Sequence, residues 1–528
     1  MWLASLSRTV LQEGPRAVED FFVLTDRTPH FIKFLYHLIQ GVFVSLSWTA
    51  GSARLPSLLA ALAVLAFMYV VVRRTGGARL AAFLATAALA LDVQFFYISH
   101  LGRQEMLLVL LMLAALAVRL RWSGVRGALY TAMLLTPGLL VHPNIFIVAL
   151  ALLPWFGRES FRQTVLELLV YAAVLAGAAV LVAGGSLLVD GGFFTHYRDF
   201  GETVGVFAGA LARLQGGWMF ARKIFLQHAG TYYLPPLQAQ LAACAVLLLA
   251  ALPALFYKKI RGCLWLKAAL SLLAVLAAIF VIGKYSPPSI VFILPWLYLA
   301  VALGAADIWQ RLGRTAAETL DRQSQSSPRS GPTARGRWPH WLPLILLSGF
   351  IVLNGGVLAA ELHAWKPSTQ GGEGEDYAKL TAELGRIIPP GQTVLSGLNT
   401  GFAFAPGQLR VWHDLAALPA RTAEQELLPV LERPFGRFLL EENISWLVLP
   451  AGELELIYSN RPVWNALYGN PYRFYPDLLE LLALYGTKEA VLPSRRYAMR
   501  LVPYMQRDNW FMAVYRLKLP AEPQADGF

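Results

Sequence analysis

The chain has 528 residues, of which 56% are hydrophobic and only 15% charged, and its mean hydropathy is +0.50. A soluble surface needs roughly 25% charged residues, so a purely soluble or disordered protein is excluded and a lipid bilayer is implied. The net charge of +12 is unevenly divided, with +14 on residues 1–364 and −2 on residues 365–528. These basic groups fall between apolar runs rather than on one exposed face, which excludes nucleic acid as the expected partner. The two cysteines, Cys244 and Cys263, lie in or beside apolar runs and supply neither a disulfide framework nor a Cys-type zinc site.

Residues 1–53 form a first segment in which Glu13, Glu19, Asp20 and Asp26 precede Pro29-His30 and the aromatic run from Phe31 to His37. That run suits an amphipathic helix lying at the membrane surface. Long apolar runs then predict transmembrane helices at 54–72, 80–98, 105–118, 127–141, 144–157, 163–184, 236–257, 264–282, 288–306 and 341–362, ten in all. The core therefore covers 54–310, with a long connection at 185–235. Residues 311–340 are basic and rich in Pro and Ser and read as a linker, and 341–362 is the last span.

A second linker, Lys366 to Gly374, leads to a segment at 375–520. There 376–387 predicts a helix stopped by Pro389-Pro390-Gly391, and Thr393 to Leu395 predicts a strand. A helix is expected at 420–441, and strands at Trp446 to Leu449 and Met512 to Tyr515. The expected fold is mainly α: a polytopic α-helical membrane protein with a C-terminal soluble α/β domain.

Alternate connections collect eighteen Lys and Arg on one side, against seven in the opposite connections between residues 54 and 287. The richer side is expected to be cytoplasmic, which places 1–53, the turn 99–105, the loop 185–235 and the C-terminal domain outside the cytoplasm. Ionisable residues within the spans are few, namely Asp92, Glu167 and His142 at a span boundary. The polar residues gather on the outer side instead. The turn from Tyr97 to Glu105 places His100, Arg103 and Glu105 within a few residues of one another.

A carboxylate at the outer interface beside cations that can hold a phosphate is what glycosyl transfer from a lipid-phosphate sugar requires. The acid takes the proton of the attacking hydroxyl, and Arg or Lys neutralises the departing phosphate. Nucleotide sugars are generally absent outside the cytoplasm, so a polyprenyl-phosphate donor follows from the topology.

Several stretches, in order, resemble the polytopic glycosyltransferases of the GT-C class, which include protein mannosyltransferases and the aminoarabinose transferase acting on lipid A. Asp26-Arg27-Thr28-Pro29-His30-Phe31 with Leu35-Tyr36 resembles the family's Asp-x-His-Pro-Pro-Leu-x-Tyr stretch. Ser52-Ala53-Arg54-Leu55-Pro56-Ser57 is similar to its Ala-x-Arg-Leu-Pro-Ser opening of the second span, and Arg73-Arg74-Thr75-Gly76 to the basic turn that follows. Tyr97-Ile98-Ser99 with Arg103 and Glu105 resembles the outer turn before the fourth span, and Leu140-Val141-His142-Pro143 the Leu-Thr-His-Pro after it. Tyr285 with Pro295 resembles the last core span, and Asp376 to Tyr515 the extracytoplasmic α/β domain.

The resemblance implies an inverting transfer to a lipid, glycan or protein acceptor in a bacterial inner membrane. It also implies a catalytic acid in the first outer loop, for which Glu13, Asp20 and Asp26 are the candidates. The family opens with a transmembrane helix, and residues 1–11 are too short and polar for one, so that first helix is expected to be missing. Thr28 stands where the family has His. His100, Arg103, Glu105, Arg222, Lys223, Lys284 and Tyr285 are the candidate substrate-binding residues. Some relatives use a divalent metal, and this sequence has no ligand cluster that requires one. The competing expectations are a transporter or lipid flippase, and a catalytically inactive scaffold for envelope assembly.

Overall fold

The structure is a computed structural model, and it describes residues 2–14, 34–76, 79–157, 160–195, 197–198, 209–222, 237–251, 263–282, 287–304, 342–364, 377–405, 407–412, 415, 418, 422–450, 474–493 and 511–520. Its first part contains the helices α1 (Trp2–Glu13), α2 (Phe34–Leu46), α3 (Ala50–Arg74), α4 (Arg79–Ala90), α5 (Val93–Ser99), α6 (Glu105–Arg121) and α7 (Gly124–Leu135). These are followed by α8 (Ile145–Leu152), α9 (Phe161–Val189), α10 (Ala210–Ala221), α11 (Gln238–Ala251), α12 (Leu264–Ile282), α13 (294–304) and α14 (Leu342–Ala364).

Each apolar stretch read from the sequence contains helix. Two of the described helices, α3 and α9, are long and apolar enough to cross a bilayer alone, and α4 with α5, bent by 67°, would make a third. The other stretches hold shorter apolar helices, and two of them are interrupted. Pro137 and Pro154 lack a backbone N–H, and the chain passes into 3-10 turns at Thr136–Leu140 and Leu153–Trp155.

Along α9 only Glu167, Tyr171, Leu175 and Ser186 are buried, while Leu166, Leu169, Val180, Leu181 and Leu188 stand exposed. A continuous apolar face of that length is compatible with lipid rather than water. The chain is an integral membrane protein.

Helices α3 and α6 run side by side in the same direction. Near the start of α3, Ser57 bonds to Arg103 just ahead of α6, and at its end Arg74 reaches the Ala117 carbonyl of α6. Helices α4 and α5 make the return. Arg73, Arg74, Arg119 and Arg121 therefore share one end of the bundle, and the turn before α6 lies at the other. At the basic end Arg119 is buried, ion-paired with Glu167 of α9, and stacked over the Phe156 ring at 4.8 Å.

The break between α4 and α5 is made by Asp92. One carboxylate oxygen accepts from the backbone N–H groups of Gln94 (2.9 Å) and Phe95 (3.2 Å), capping α5. The other accepts from Gln240 Nε2 of α11 (3.1 Å) and the Tyr298 hydroxyl of α13 (2.7 Å). Asn354 of α14 closes the network, donating to Tyr298 (2.7 Å) and to the Ala88 carbonyl (2.8 Å) while accepting from Gln240 (3.1 Å). All four side chains are buried, and donors from separate helices converge on the carboxylate to satisfy it there.

After α14 the chain builds α15 (Tyr377–Ile387), β1 (Thr393–Ser396), β2 (Leu409–Val411), α16 (Pro434–Glu441), β3 (Ile444–Pro450), α17 (Tyr475–Tyr485), β4 (Gly486–Pro493) and β5 (Phe511–Leu517). The sheet order is β2-β1-β3-β5-β4. β1 is parallel to β2 and β3, and β5 is antiparallel to β3 and β4. Val394, Val448 and Val514 pack with Leu384 of α15 on one face, whereas Leu395 and Leu447 pack with Phe435 and Leu481 of α16 and α17 on the other. Burial on both faces explains why these strands read as unbroken apolar runs.

The helix expected at 420–441 is divided. Pro429 and Pro434 leave a single turn at Ala423–Glu426, a 3-10 turn at Val430–Glu432 and then α16. The sheet region docks on the helical part through Trp48, whose indole N–H donates to the Phe404 carbonyl at 2.9 Å and whose ring meets Phe402 at 5.1 Å.

Replacing Asp92 by alanine strands the donors of Gln240 and Tyr298 in an apolar setting, at about 1–3 kcal/mol for each. The expected outcome is a clear fall in the thermal midpoint in detergent, with Asp92→Asn falling less because it retains an acceptor oxygen.

Candidate functional site

The site grows from the turn His100 to Gln104, at the end of the bundle where the sheet region docks. Helix α5 has only seven residues and ends with its own side chains folded back. Ser99 Oγ donates to the Phe96 carbonyl at 2.6 Å, and His100 Nδ1 lies 2.7 Å from that carbonyl and 2.9 Å from Ser99 Oγ. The His100 ring also packs on Phe96, with centroids 4.5 Å apart. His100 thus stays with the end of α5.

Three side chains hold the turn from outside. The Ser57 hydroxyl donates to the Arg103 carbonyl at 2.6 Å and accepts from the Arg103 N–H at 3.2 Å, fixing the backbone at that residue from both sides. Gln40 Nε2 donates to the Ala53 carbonyl at 2.8 Å and to the Gly102 carbonyl at 3.4 Å, stitching α2 and α3 to the turn. Ser7 of α1 donates to Gln40 Oε1 at 2.7 Å and lies 2.9 Å from His37 Nδ1. The first helix is therefore joined to the turn through Gln40. Gly102 permits the approach, because a Cβ there would stand 2.7 Å from the Ala53 carbonyl oxygen.

Arg103 and Glu105 form a forked ion pair. Nε lies 3.1 and 3.2 Å from the two carboxylate oxygens, and Nη2 lies 2.7 Å from Oε1. Glu105 is the first residue of α6, where a negative charge is favoured by the helix dipole, and its side chain is 2% exposed. The Arg103 side chain is 28% exposed. A guanidinium aligned by a buried carboxylate, with one flank reaching the surface, can meet an incoming anion without first reorganising. Tyr36 of α2, buried against the same cluster, lies within electrostatic reach of both Glu105 and Arg103.

Of the residues singled out in the sequence, Arg103 and Glu105 are brought into contact and His100 sits on their turn. Arg222 follows α10 and is exposed. Glu13 is the last residue of α1, and its side chain lies outside the described residues, as do Asp20, Asp26, Lys223, Lys284 and Tyr285. His142 is buried and accepts from the Asn144 N–H at 3.0 Å, a local structural bond. Among the described residues no three His, Cys, Asp or Glu side chains are grouped to hold a metal ion. Sequence reasoning left Tyr36, Ser57 and Gln40 out of the site. The first two lay inside the Leu35-Tyr36 and Leu55-Pro56-Ser57 stretches, whose order along the chain was the available signal.

No family model matches the chain, and no curated protein does. Among solved structures, the chain is similar to the crystal structure of ArnT from Cupriavidus metallidurans bound to undecaprenyl phosphate. Identity is 15%, 99% of this chain and 94% of that one are covered, and the TM-score is 0.47. It is also similar to the Archaeoglobus fulgidus oligosaccharyltransferase in complex with Zn and sulfate, at 13% identity, with 90% of this chain and 70% of that one covered and a TM-score of 0.44.

A side chain at Gly102 would push the turn away from α3 and break the Gln40 and Ser57 bonds. Gly102→Ala should lower stability by about 1–3 kcal/mol in a thermal unfolding measurement. Trimming Ala53 to glycine should give no rescue, because the clash is with a carbonyl.

Proposed function

We propose that this chain is a membrane glycosyltransferase that moves a sugar from a polyprenyl-phosphate donor to a lipid, glycan or protein acceptor on the extracytoplasmic face. The observation that carries the reading is Arg103, oriented by Glu105, anchored by Ser57 and still partly exposed at one end of an apolar bundle. The clustering of Arg73, Arg74, Arg119 and Arg121 at the other end supports a cytoplasmic assignment for that end, and with it an extracytoplasmic site and C-terminal domain in a bacterial inner membrane. In the neighbour ArnT the bound molecule is undecaprenyl phosphate.

In the proposed reaction the acceptor oxygen attacks the anomeric carbon as the bond from that carbon to the phosphate oxygen breaks. The acceptor's proton passes to a carboxylate, for which Glu13, Asp20 and Asp26 are the candidates. The electron pair of the broken bond stays on the phosphate, where Arg103 neutralises it, with Arg222, Lys223, Lys284 and Tyr285 as further candidates for holding the donor. One direct displacement inverts the anomeric configuration. Glu105 orients Arg103 rather than acting as base, since its carboxylate is already engaged. A transporter would make use of Asp92 in the apolar interior, and the bonds described for that carboxylate are all structural ones to the protein.

The test is transfer of labelled sugar from a panel of undecaprenyl-phosphate sugars by the reconstituted full chain. Arg103→Ala should lower kcat/KM by about 10²–10³-fold. One of Glu13→Gln, Asp20→Asn and Asp26→Asn should lower it by about 10²–10⁴-fold. Full activity in all three single variants and in the triple variant would remove the base from the first segment.

A further inference from the structure

Tyr36 is 0% exposed, and its hydroxyl has no hydrogen-bond partner among the described residues. Ser57 lies within reach of the phenol, but its hydroxyl donates to the Arg103 carbonyl and accepts from the Arg103 N–H. Other buried donors of the interior are paired, although Ser289 Oγ, Trp296 Nε1 and Gln104 Oε1 are also without a partner among the described residues. Tyr171 donates to the Ala149 carbonyl, Tyr298 to Asp92, and Trp155 to Ser271. An orphaned buried hydroxyl destabilises the fold, and in a native protein it points to a partner that arrives from outside.

The position of the orphan says what that partner is. The phenol lies in the electrostatic field of Arg103 and Glu105. Glu105 is committed to Arg103, and Arg103 is the member of the cluster with a surface-reaching flank. An anionic oxygen bound on that flank would stand beside the guanidinium in whose field the phenol lies. A phenol O–H is a strong donor to such an oxygen and carries no charge of its own to be desolvated when the site is empty.

We propose that the Tyr36 hydroxyl is a ligand-binding donor that completes its hydrogen bond on a phosphate oxygen held by Arg103. The inference rests on the reading of this turn as the donor-phosphate site and adds a second, uncharged contact to it. The shared chemistry is a phosphate oxygen, carried either by the polyprenyl phosphomonoester that the transfer leaves behind or by free phosphate, and the two sources are separated by experiment.

The full chain in lipid nanodiscs is titrated with undecaprenyl phosphate and, separately, with inorganic phosphate, for wild type, Tyr36→Phe and Arg103→Ala. Tyr36→Phe removes one oxygen. It should weaken binding about ten- to hundredfold while leaving the thermal midpoint of the ligand-free protein unchanged or raised, because the oxygen it removes is unsatisfied there. Weakening confined to the lipid arm identifies the polyprenyl headgroup as the ligand, and weakening in the inorganic arm as well identifies the bare anion.

If wild type binds and Arg103→Ala weakens binding while Tyr36→Phe binds as wild type does, the phenol inference is overturned and the phosphate-site reading stands. A lowered midpoint for Tyr36→Phe with unchanged affinity likewise assigns the hydroxyl a structural role and overturns it. If wild type binds neither phosphate, both readings fall together.

Discussion

Buried carboxylate and guanidinium groups inside an apolar helical body need partners, and in this molecule separate helices bring them. Asp92 is held by α5, α11 and α13, and Asn354 ties α14 into the same network. Arg119 and Glu167 pair between α6 and α9 at the basic end. Each set joins segments far apart in the chain, and apolar contacts alone would not select these pairings, since one leucine face packs against lipid about as well as against another helix.

The same rule builds the turn at the other end. Helix α5 is short, starts at the Asp92 cap and delivers His100 to Gln104 after two turns. Ser57 and Gln40 then satisfy the backbone of that loop, and Gly102 lets it sit directly on α3. The Asp92 network and the Arg103 turn are the two ends of one small element. A rigid turn suits an arginine that must meet an anion in a fixed orientation, because the alignment is made before the ligand arrives.

Two neighbouring parts bear on this turn. Helix α1 reaches it through Ser7 and Gln40, and Arg8 of α1 lies over the Trp48 ring at 5.7 Å. Trp48 in turn carries the contact to Phe402 and Phe404 in the sheet region. Helix α1 and the C-terminal region thus both contact elements that flank the Arg103 turn. This arrangement supports a site assembled from several regions of the chain rather than from the spans alone.

The sequence by itself determined the membrane setting, the apolar stretches that contain helix and part of the C-terminal alternation, since long apolar runs and proline stops act locally. The strands Thr393–Ser396, Ile444–Pro450 and Phe511–Leu517 were legible as short apolar runs. By contrast, Leu409–Val411 is a three-residue edge strand and Gly486–Pro493 has a mixed pattern, so both take their structure from the neighbours they pair with. Arg103 and Glu105 could be paired on paper because only Gln104 stands between them. Only the tertiary structure could decide that Gln40, Ser57 and Tyr36 surround that pair, or that Gln240, Tyr298 and Asn354 gather on Asp92. Those partners lie tens to hundreds of residues away, and a hydrogen bond depends on where helices cross, which no local pattern encodes.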